Sequence, residues 1–439
     1  MKIIKAAEFE SFWRQSSAQN DDKTESAVKE IIAAVRAEGD TALRRFASRF
    51  DKSSPEQLEV PQSVVFEATK EMRRGDPQLY SAIELSALHI KRFCQKQREQ
   101  FFDFEYEIEK GLVTGQRVIP VQKAAVYVPA GRFPLFSTVM MCLLPAFCAG
   151  VEGVFLASPP EKDGFPDSKI LAAAGITAET AEKKLGVFAI GGAQAIAALA
   201  LGTESIPRVD VIAGPGNKYV AAAKRLLYGE VGIDFIAGPS DVLVISDGLT
   251  TAELAENANL IAADMIAQAE HDPDACARAL VPNRDLAEKI AEAVEVQLAV
   301  LPTAETARSS LESGGLIIIY SEKEEAVRIA NTIAPEHLEL HVKESESWIG
   351  ELKNYGSLFL GGLSAEVLGD YSAGINHTLP TSGSARFSGG LSVRHFLKTV
   401  TTLRCTQDEG FEKTREAAEI LANAEGLVGH AHSAALRKK

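Results

Sequence analysis

Aromatic residues are scarce in this 439-residue chain, at 7%, with two tryptophans. Cysteine is scarcer: Cys94, Cys142, Cys148, Cys276 and Cys405 form no C-x-x-C pair and follow no scaffold spacing. An odd count in so long a chain argues against a disulfide framework and for a reducing compartment, with the thiols as small buried hydrophobes. Positive charge is also short. With 46 Lys and Arg against 60 Asp and Glu, the net charge is −14. Phosphate backbones and anionic membranes need clustered cations, so we expect no nucleic-acid partner and no membrane partner. No long uninterrupted apolar helix is visible. The uncharged stretch Leu185–Thr203 is broken by Gly191, Gly192 and Gln194, and reads as a buried strand, a glycine turn and a buried helix. The start, MKIIKAAEFESFW, lacks the apolar core of a signal peptide, which leads us to expect a cytoplasmic protein. Internal repeats and low-complexity segments are absent as well.

What is present is an ordinary globular composition, 46% hydrophobic and 24% charged, in a length that suits two or three domains. The first 110 residues carry helical periodicity. Val28, Ile31, Ile32 and Val35 repeat at helical spacing, and Asp40 stands as the cap of a segment with Leu43, Phe46, Ala47 and Phe50. From residue 124 short β-branched runs alternate with Ala-rich helical stretches: AAVYV (124–128), GVFLA (153–157), GVFAI (186–190), VDVIA (209–213), IDFIA (233–237) and VLVI (242–245). A second series follows, ALV (279–281), LIIIY (316–320), LELHV (338–342) and SLFLG (357–361). Such alternation predicts parallel sheets with helices on their faces. The expected fold is α/β, with two Rossmann-like parallel-sheet domains, a helical N-terminal segment and a helical C-terminal extension. The expected boundaries are 1–122 for the helical segment, packing with the second α/β domain, 123–245 and 246–386 for the two α/β domains, and 387–439 for the extension.

Parallel sheets bind ligands at the carboxyl ends of their strands. Three turns there stand out: Pro129–Arg132, Gly191–Gln194 and Gly214–Asn217, the last with Asn217 placed to cap the next helix. Free N–H groups at such turns suit a phosphate or pyrophosphate. None completes G-x-G-x-x-G, and ordinary turn chemistry accounts for each singly. Seven of the eight histidines lie at or after His271, so imidazole chemistry belongs to the C-terminal half. In MIAQAEHDPD, Gln268 and His271 share a helix face, as a metal-ligating amide and imidazole or as a solvent-facing pair. Glu336 and His337 stand together where a helix ends at Ala334-Pro335 and a strand begins: a pair of proton-transfer groups, or a polar loop. Residues 368–390 gather Asp370, Asn376, His377 and Arg386 in a long polar stretch without an apolar run. His430 and His432 follow Glu425 near the C-terminus. Gln268, His271, Asp370 and one late histidine form an N/O set compatible with Zn²⁺.

The segments YVPAG, GGAQAIAALALGTESIP, AGPGN, AGPSDVLVI, QAEH, APEHLEL, GDYSAGINHTLPTSGSARF and AEGLVGH occur in this order from Tyr127 to His430, after VRAEGDTALRRFASRFD. Together they resemble the histidinol dehydrogenases. The resemblance implies a zinc-dependent, NAD-linked enzyme of histidine biosynthesis that oxidises L-histidinol to L-histidine through histidinal. It implies one Zn²⁺ per subunit, held by Gln268, His271, Asp370 and His430. Glu336 and His337 would be the acid–base pair. Ser240, His377 and Glu425 would join these six residues around the substrate, and Tyr127, Gln194 and Asn217 would touch NAD. It also implies a homodimer whose tails supply Glu425 and His430 to the partner's site. Ala130 stands where the family usually has glycine. The alternative is a related zinc- and NAD-linked dehydrogenase of another small polar alcohol or diol; His377 and Glu425 favour the imidazole-bearing substrate.

Overall fold

The computed structural model describes residues 1–15, 22–130, 134–236, 238–248 and 254–438. Gly131 and Arg132 of the first turn, and Ala237 of the run 233–237, lie outside them.

The first sheet is parallel, in the order Gly186–Ala189, Gly153–Ser158, Lys123–Tyr127, Val211–Ala213, Gly232–Ile233. Its central strand shows why short apolar runs form buried strands: successive side chains enter opposite cores. Ala124 and Val126 pack with the Ser137–Ala149 and Ser168–Ala181 helices. Ala125 and Tyr127 pack with the Gly192–Leu201 and Lys218–Leu227 helices. The uncharged stretch at 185–203 is thus a strand, a turn and a buried helix, as its glycines predict. Among the described residues no helix is long and apolar enough to cross a membrane.

The second sheet is also parallel, in the order Lys2–Lys5, Leu316–Ile319, Cys276–Val281, Asp241–Ser246, His337–His341, Ser357–Leu360. The two Rossmann-like sheets agree with the sequence reading, but the division between them does not. VLVI (242–245), read with the first series, lies inside the second sheet, between the 276–281 and 337–341 strands. An all-apolar run fits the centre of either sheet, so periodicity cannot assign it. The N-terminal segment likewise divides. Its first strand and the Ala6–Gln15 helix join the second domain. The helices Asp22–Glu38, Asp40–Phe50, Gln62–Gly75 and Pro77–Arg98 pack on the first domain.

Neither terminal segment is wholly helical. Phe104–Glu109, Leu112–Pro120 and Leu397–Cys405 form a small antiparallel sheet with 112–120 in the middle. Phe104–Glu109 alternates apolar with acidic residues, FEYEIE, yet is exposed along its length in the single chain. The tail then continues as the helices Glu409–Ala424 and Val428–Ala435, packed on each other. Two smaller expectations also change. Asp40 is the first helical residue rather than the cap, and its carboxylate accepts from the Ser205 hydroxyl. Cys94 and Cys142 are buried, but Cys148 and Cys276 are half-buried and Cys405 is exposed.

Candidate active site

At the carboxyl edge of the first sheet lies a cleft of about 590 Å³, lined by Tyr127, Gln194, Asn217, Tyr219, Ala130 and Asp51 among others. The three cofactor residues expected from the sequence therefore share one cavity, of a size usual for small-molecule sites. Tyr127 ends its strand, and its hydroxyl accepts from the Gly192 N–H (3.0 Å). Asn217 caps the helix it precedes, its side-chain oxygen accepting from the N–H groups of Tyr219 (3.0 Å) and Val220 (3.2 Å). The turn before it needs glycine: Gly214 has φ +110°, and a Cβ there would collide with the Tyr127 carbonyl oxygen. A buried Lys224–Asp234 ion pair pins this turn. Lys224 donates to the Gly214 carbonyl (3.0 Å), and Asp234 accepts from the Gly214 N–H (2.8 Å).

Asp51 escaped the sequence reading, because it lies far from any glycine turn in the chain. It accepts from the Gln194 amide (3.4 Å), and burial pushes its carboxyl up to about 6 from 3.8. Its folded pKa lies above its unfolded value, so the folded chain binds more protons between these limits. The stability this confers is complete below pH 3.8 and is lost as pH rises through about 6. Asp51→Asn cannot ionise. It should exceed wild type in stability at pH 8 by about 1–2 kcal/mol, discounted for partial exposure. The gain should vanish below pH 4. Urea midpoints at the two pH values measure it, and an equal difference at both would remove burial as the cause.

The second half of the site lies at the opposite kind of edge, the amino ends of the second sheet's strands. The helix Lys323–Ile333 stops at Ala334 (φ +52°), Pro335 follows, and Glu336 and His337 enter the strand. Both are buried, at 5% and 3% exposure. Glu336 is clasped by Asp241, at the start of the neighbouring strand. Its Oε2 accepts from the Asp241 N–H (3.0 Å), and its own N–H donates to the Asp241 carboxylate (3.1 Å). Burial pushes the Glu336 carboxyl up to about 8. Burial presses the His337 imidazole down, but Glu336, Asp370 and Glu366 outweigh it and raise it well above 6.5.

The strand HLELH sorts its side chains by parity. Leu338 and Leu340 enter the apolar cluster with Leu243, Ile333 and Trp348. His337, Glu339 and His341 take the other face, against carboxylates of the Leu254–Ala269 and Glu366–Tyr371 helices. His337 Nε2 lies 3.3 Å from Asp370 Oδ1, and its Nδ1 3.7 Å from Glu366 Oε2. His341 Nε2 lies 3.5 Å from Asp264 and 3.4 Å from Glu339. Among the described residues, Asp264, Glu339 and His341 form a buried group of three ligating side chains whose atoms all lie within 4.8 Å of one another, as a metal site requires. Burial pushes the Asp264 carboxyl up to about 8, with Glu339 adding to the effect. These residues were missed in the sequence. Ionisable residues at every second position of a buried strand were the available signal, with Asp264 one helical turn before Gln268.

The histidinol dehydrogenase family profile matches residues 14–438. This chain belongs to the histidinol dehydrogenase family. It is 44% identical over 421 residues to the histidinol dehydrogenase of Aquifex aeolicus, covering 95% of this chain and 93% of the relative. It is 43% identical over 436 residues to that of Thermus thermophilus, covering 99% and 100%. The crystal structure of histidinol dehydrogenase from Elizabethkingia anophelis superposes with a TM-score of 0.89 at 32% identity, over 99% of this chain and 97% of that one.

The remaining residues that the resemblance to histidinol dehydrogenases singled out fall in two places. Beside the Glu336–His337 pair stand Asp370, buried on the Glu366–Tyr371 helix, and His377, while Gln268 is buried in the last turn of the Leu254–Ala269 helix, which packs on the helix of Asp370. His377 Nδ1 donates to the Asp370 carbonyl (2.9 Å). Its Nε2 meets Thr138 of the first domain at 3.4 Å, so the 368–390 stretch joins the two domains. That stretch is less polar inside than its sequence implies, since Thr378, Leu379, Thr381 and Ala385 are buried. Burial lowers the His377 imidazole pKa. Burial pushes Asp370 upward, but His337, His377 and His271 together hold its carboxyl below the usual range. His271 is exposed just beyond the Gln268 helix, and half-buried Ser240 precedes the Asp241 strand. Gln268 Oε1 and Asp370 Oδ1 are buried without a hydrogen-bond partner among the described residues. Electron-rich oxygens left so are what a cation satisfies. Glu425 and His430 lie elsewhere, exposed on the C-terminal helical pair, and within one chain His430 does not group with His271 and Asp370.

Proposed function

We propose that this protein oxidises L-histidinol to L-histidine with zinc and NAD, as a cytoplasmic homodimer in which each tail completes the partner's site. The observation that carries the reading is the buried Glu336–His337 pair with Asp370 3.3 Å from the imidazole, together with the buried, unpartnered oxygens of Asp370 and Gln268 among the described residues. The reaction has two stages. The alcohol loses a hydride and a proton to become histidinal. The aldehyde then adds water, and its hydrate loses a second hydride and two protons in becoming the carboxylate. Two NAD⁺ and one water are consumed, and two NADH and three protons are released.

His337 takes the proton of the alcohol as hydride departs. Glu336 then takes a proton from the water that adds to the aldehyde. A carboxyl at about 8 exchanges protons readily near neutral pH, and its Oε2 is already held by the Asp241 N–H, which leaves Oε1 for the water. Gln268, His271, Asp370 and the tail's His430 would hold zinc, which would supply a cationic anchor for the substrate's nitrogens and offset the negative field around His337. Tyr127, Gln194 and Asn217 would hold NAD in their cleft, where it would supply the hydride acceptor. Ser240 and His377 border the substrate from this chain, and Glu425 from the tail. The dimer is supported by apolar surface on the tail and the sheet beside it: Phe104, Tyr106, Ile108, Leu403, Ile420, Leu421 and Val428 are all exposed in the single chain.

The test is stoichiometric. Wild-type protein given limiting L-histidinol and excess NAD should form two NADH per substrate, and a zinc chelator should abolish this. One NADH per substrate, or turnover indifferent to chelation, would overturn the reading.

A further inference from the structure

His337 offers two ring nitrogens, and the proposed mechanism uses only one. Both are buried and lack a hydrogen-bond partner. Each faces a carboxylate from the same short helix: Nε2 faces Asp370 Oδ1 at 3.3 Å, and Nδ1 faces Glu366 Oε2 at 3.7 Å. The two acids stand one helical turn apart, so a single helix brackets the ring.

Glu366 has no role in the proposed function, and its burial is costly. It is 1% exposed, its Oε2 has no hydrogen-bond partner among the described residues, and burial together with Glu339, Asp370 and Asp264 raises its carboxyl pKa well above 4.5. His337 is the group whose charge favours its ionised form. Its place is also set with some care. Glu339, two residues beyond His337 on the same strand, accepts from the Glu366 N–H (2.6 Å). The strand that carries the imidazole thus anchors the start of the helix that brackets it. Gly369 allows the close approach, since a Cβ there would stand 2.8 Å from the Phe359 ring and 2.9 Å from Ile375. Phe359 packs against the imidazole, with ring centroids 5.9 Å apart.

We infer that Glu366 is the positioning residue of His337: its carboxylate accepts from Nδ1–H, fixing the ring's tautomer and leaving Nε2 as the atom that takes the substrate's proton. The inference rests on the reading of His337 as the base. A gap of 3.7 Å is long for a hydrogen bond, but base–orienter contacts are commonly loose before substrate binds and tighten in the loaded site. The carboxylate also stabilises the imidazolium formed when the proton arrives. An amide in its place lacks that charge and can present N–H to Nδ1, favouring the wrong tautomer.

The experiment compares zinc-loaded wild type with Glu366→Gln, Glu366→Asp and His337→Asn. Measured are kcat and KM for L-histidinol, zinc content, and L-histidinol affinity by calorimetry. Glu366→Gln should lose kcat by about 10²-fold or more while zinc content and affinity stay within about twofold of wild type. Glu366→Asp should recover at least tenfold of that loss. In [15N]histidine-labelled wild type, the His337 signals, assigned by their absence in His337→Asn, should show Nδ1 protonated and Nε2 bare. A Glu366→Gln variant with kcat within threefold of wild type, or a His337 protonated at Nε2 alone, would overturn the inference. So would a kcat loss matched by equal loss of zinc and affinity, since that is the mark of a structural role. If His337→Asn itself turns over normally, the base assignment fails first, and the two failures are thereby told apart.

Discussion

Replacing His337 with asparagine should lower kcat for L-histidinol by about 10³-fold, within the span that general acid–base groups supply. Folding should survive the change. Neither ring nitrogen has a hydrogen-bond partner, so the substitution orphans no hydrogen-bonded group. It does remove the cation-capable group among Glu336, Glu366 and Asp370. The metal-free variant should therefore be less stable than wild type, and zinc beside Asp370 should restore most of the difference. Asparagine has no basic nitrogen, so proton removal from the alcohol falls to water or to Glu336, neither positioned for it. The measurements are steady-state kcat, zinc by elemental analysis and a thermal melt of the loaded protein. A folded, zinc-loaded His337→Asn variant within tenfold of wild-type kcat would exclude His337 as the base.

His430→Ala should remove most of the zinc and, with it, essentially all turnover. The side chain is exposed in the single chain and, among the described residues, forms no ligand group with His271 and Asp370. A large effect from so remote a residue is expected only if the tail reaches the partner's site. Mixing makes the point quantitative. His337→Asn has a defective body and a sound tail, and His430→Ala has the reverse. Random exchange makes half of the dimers mixed, and each mixed dimer has one site built from two sound parts. Two inactive proteins should therefore regain about a quarter of wild-type activity after subunit exchange. Mixed dimers that form, by mass, yet stay inactive would show that each site is built within one chain.

Much of the fold can be read from the sequence because its rules are local. An all-apolar five-residue run such as AAVYV predicts a strand buried on both faces, and Asn217 after Gly-Pro-Gly predicts a capped helix; both are found. The failures have one cause, that local pattern says nothing of partners. VLVI has the periodicity of any central strand, and only its pairing with 276–281 and 337–341 places it in the second sheet. The strand Phe104–Glu109 has the apolar–acidic alternation of a strand, but nothing in that pattern says that it pairs with 112–120. A cleft at the carboxyl ends of the strands, as parallel sheets favour, is lined by Tyr127, Gln194 and Asn217. Glu336 and His337 stand instead at the amino end of their strand. There the helix ending in Gln268 runs back along the sheet, bringing its last turn to the amino edge.

By itself the sequence determined the residue types available for chemistry, the two α/β sheets and, through ordered motifs from Tyr127 to His430, the family. These are properties of the chain in order, and short-range sterics and periodicity are enough to express them. Only the tertiary structure decided that Asp51 lines the cleft of Tyr127, Gln194 and Asn217, that Glu366 faces the second nitrogen of His337, and that Asp264, Glu339 and His341 form one buried group. Those contacts join residues far apart in sequence. What sets them is the burial of charge: a carboxylate taken out of water must find a partner, and which partner it finds depends on where the whole chain has folded.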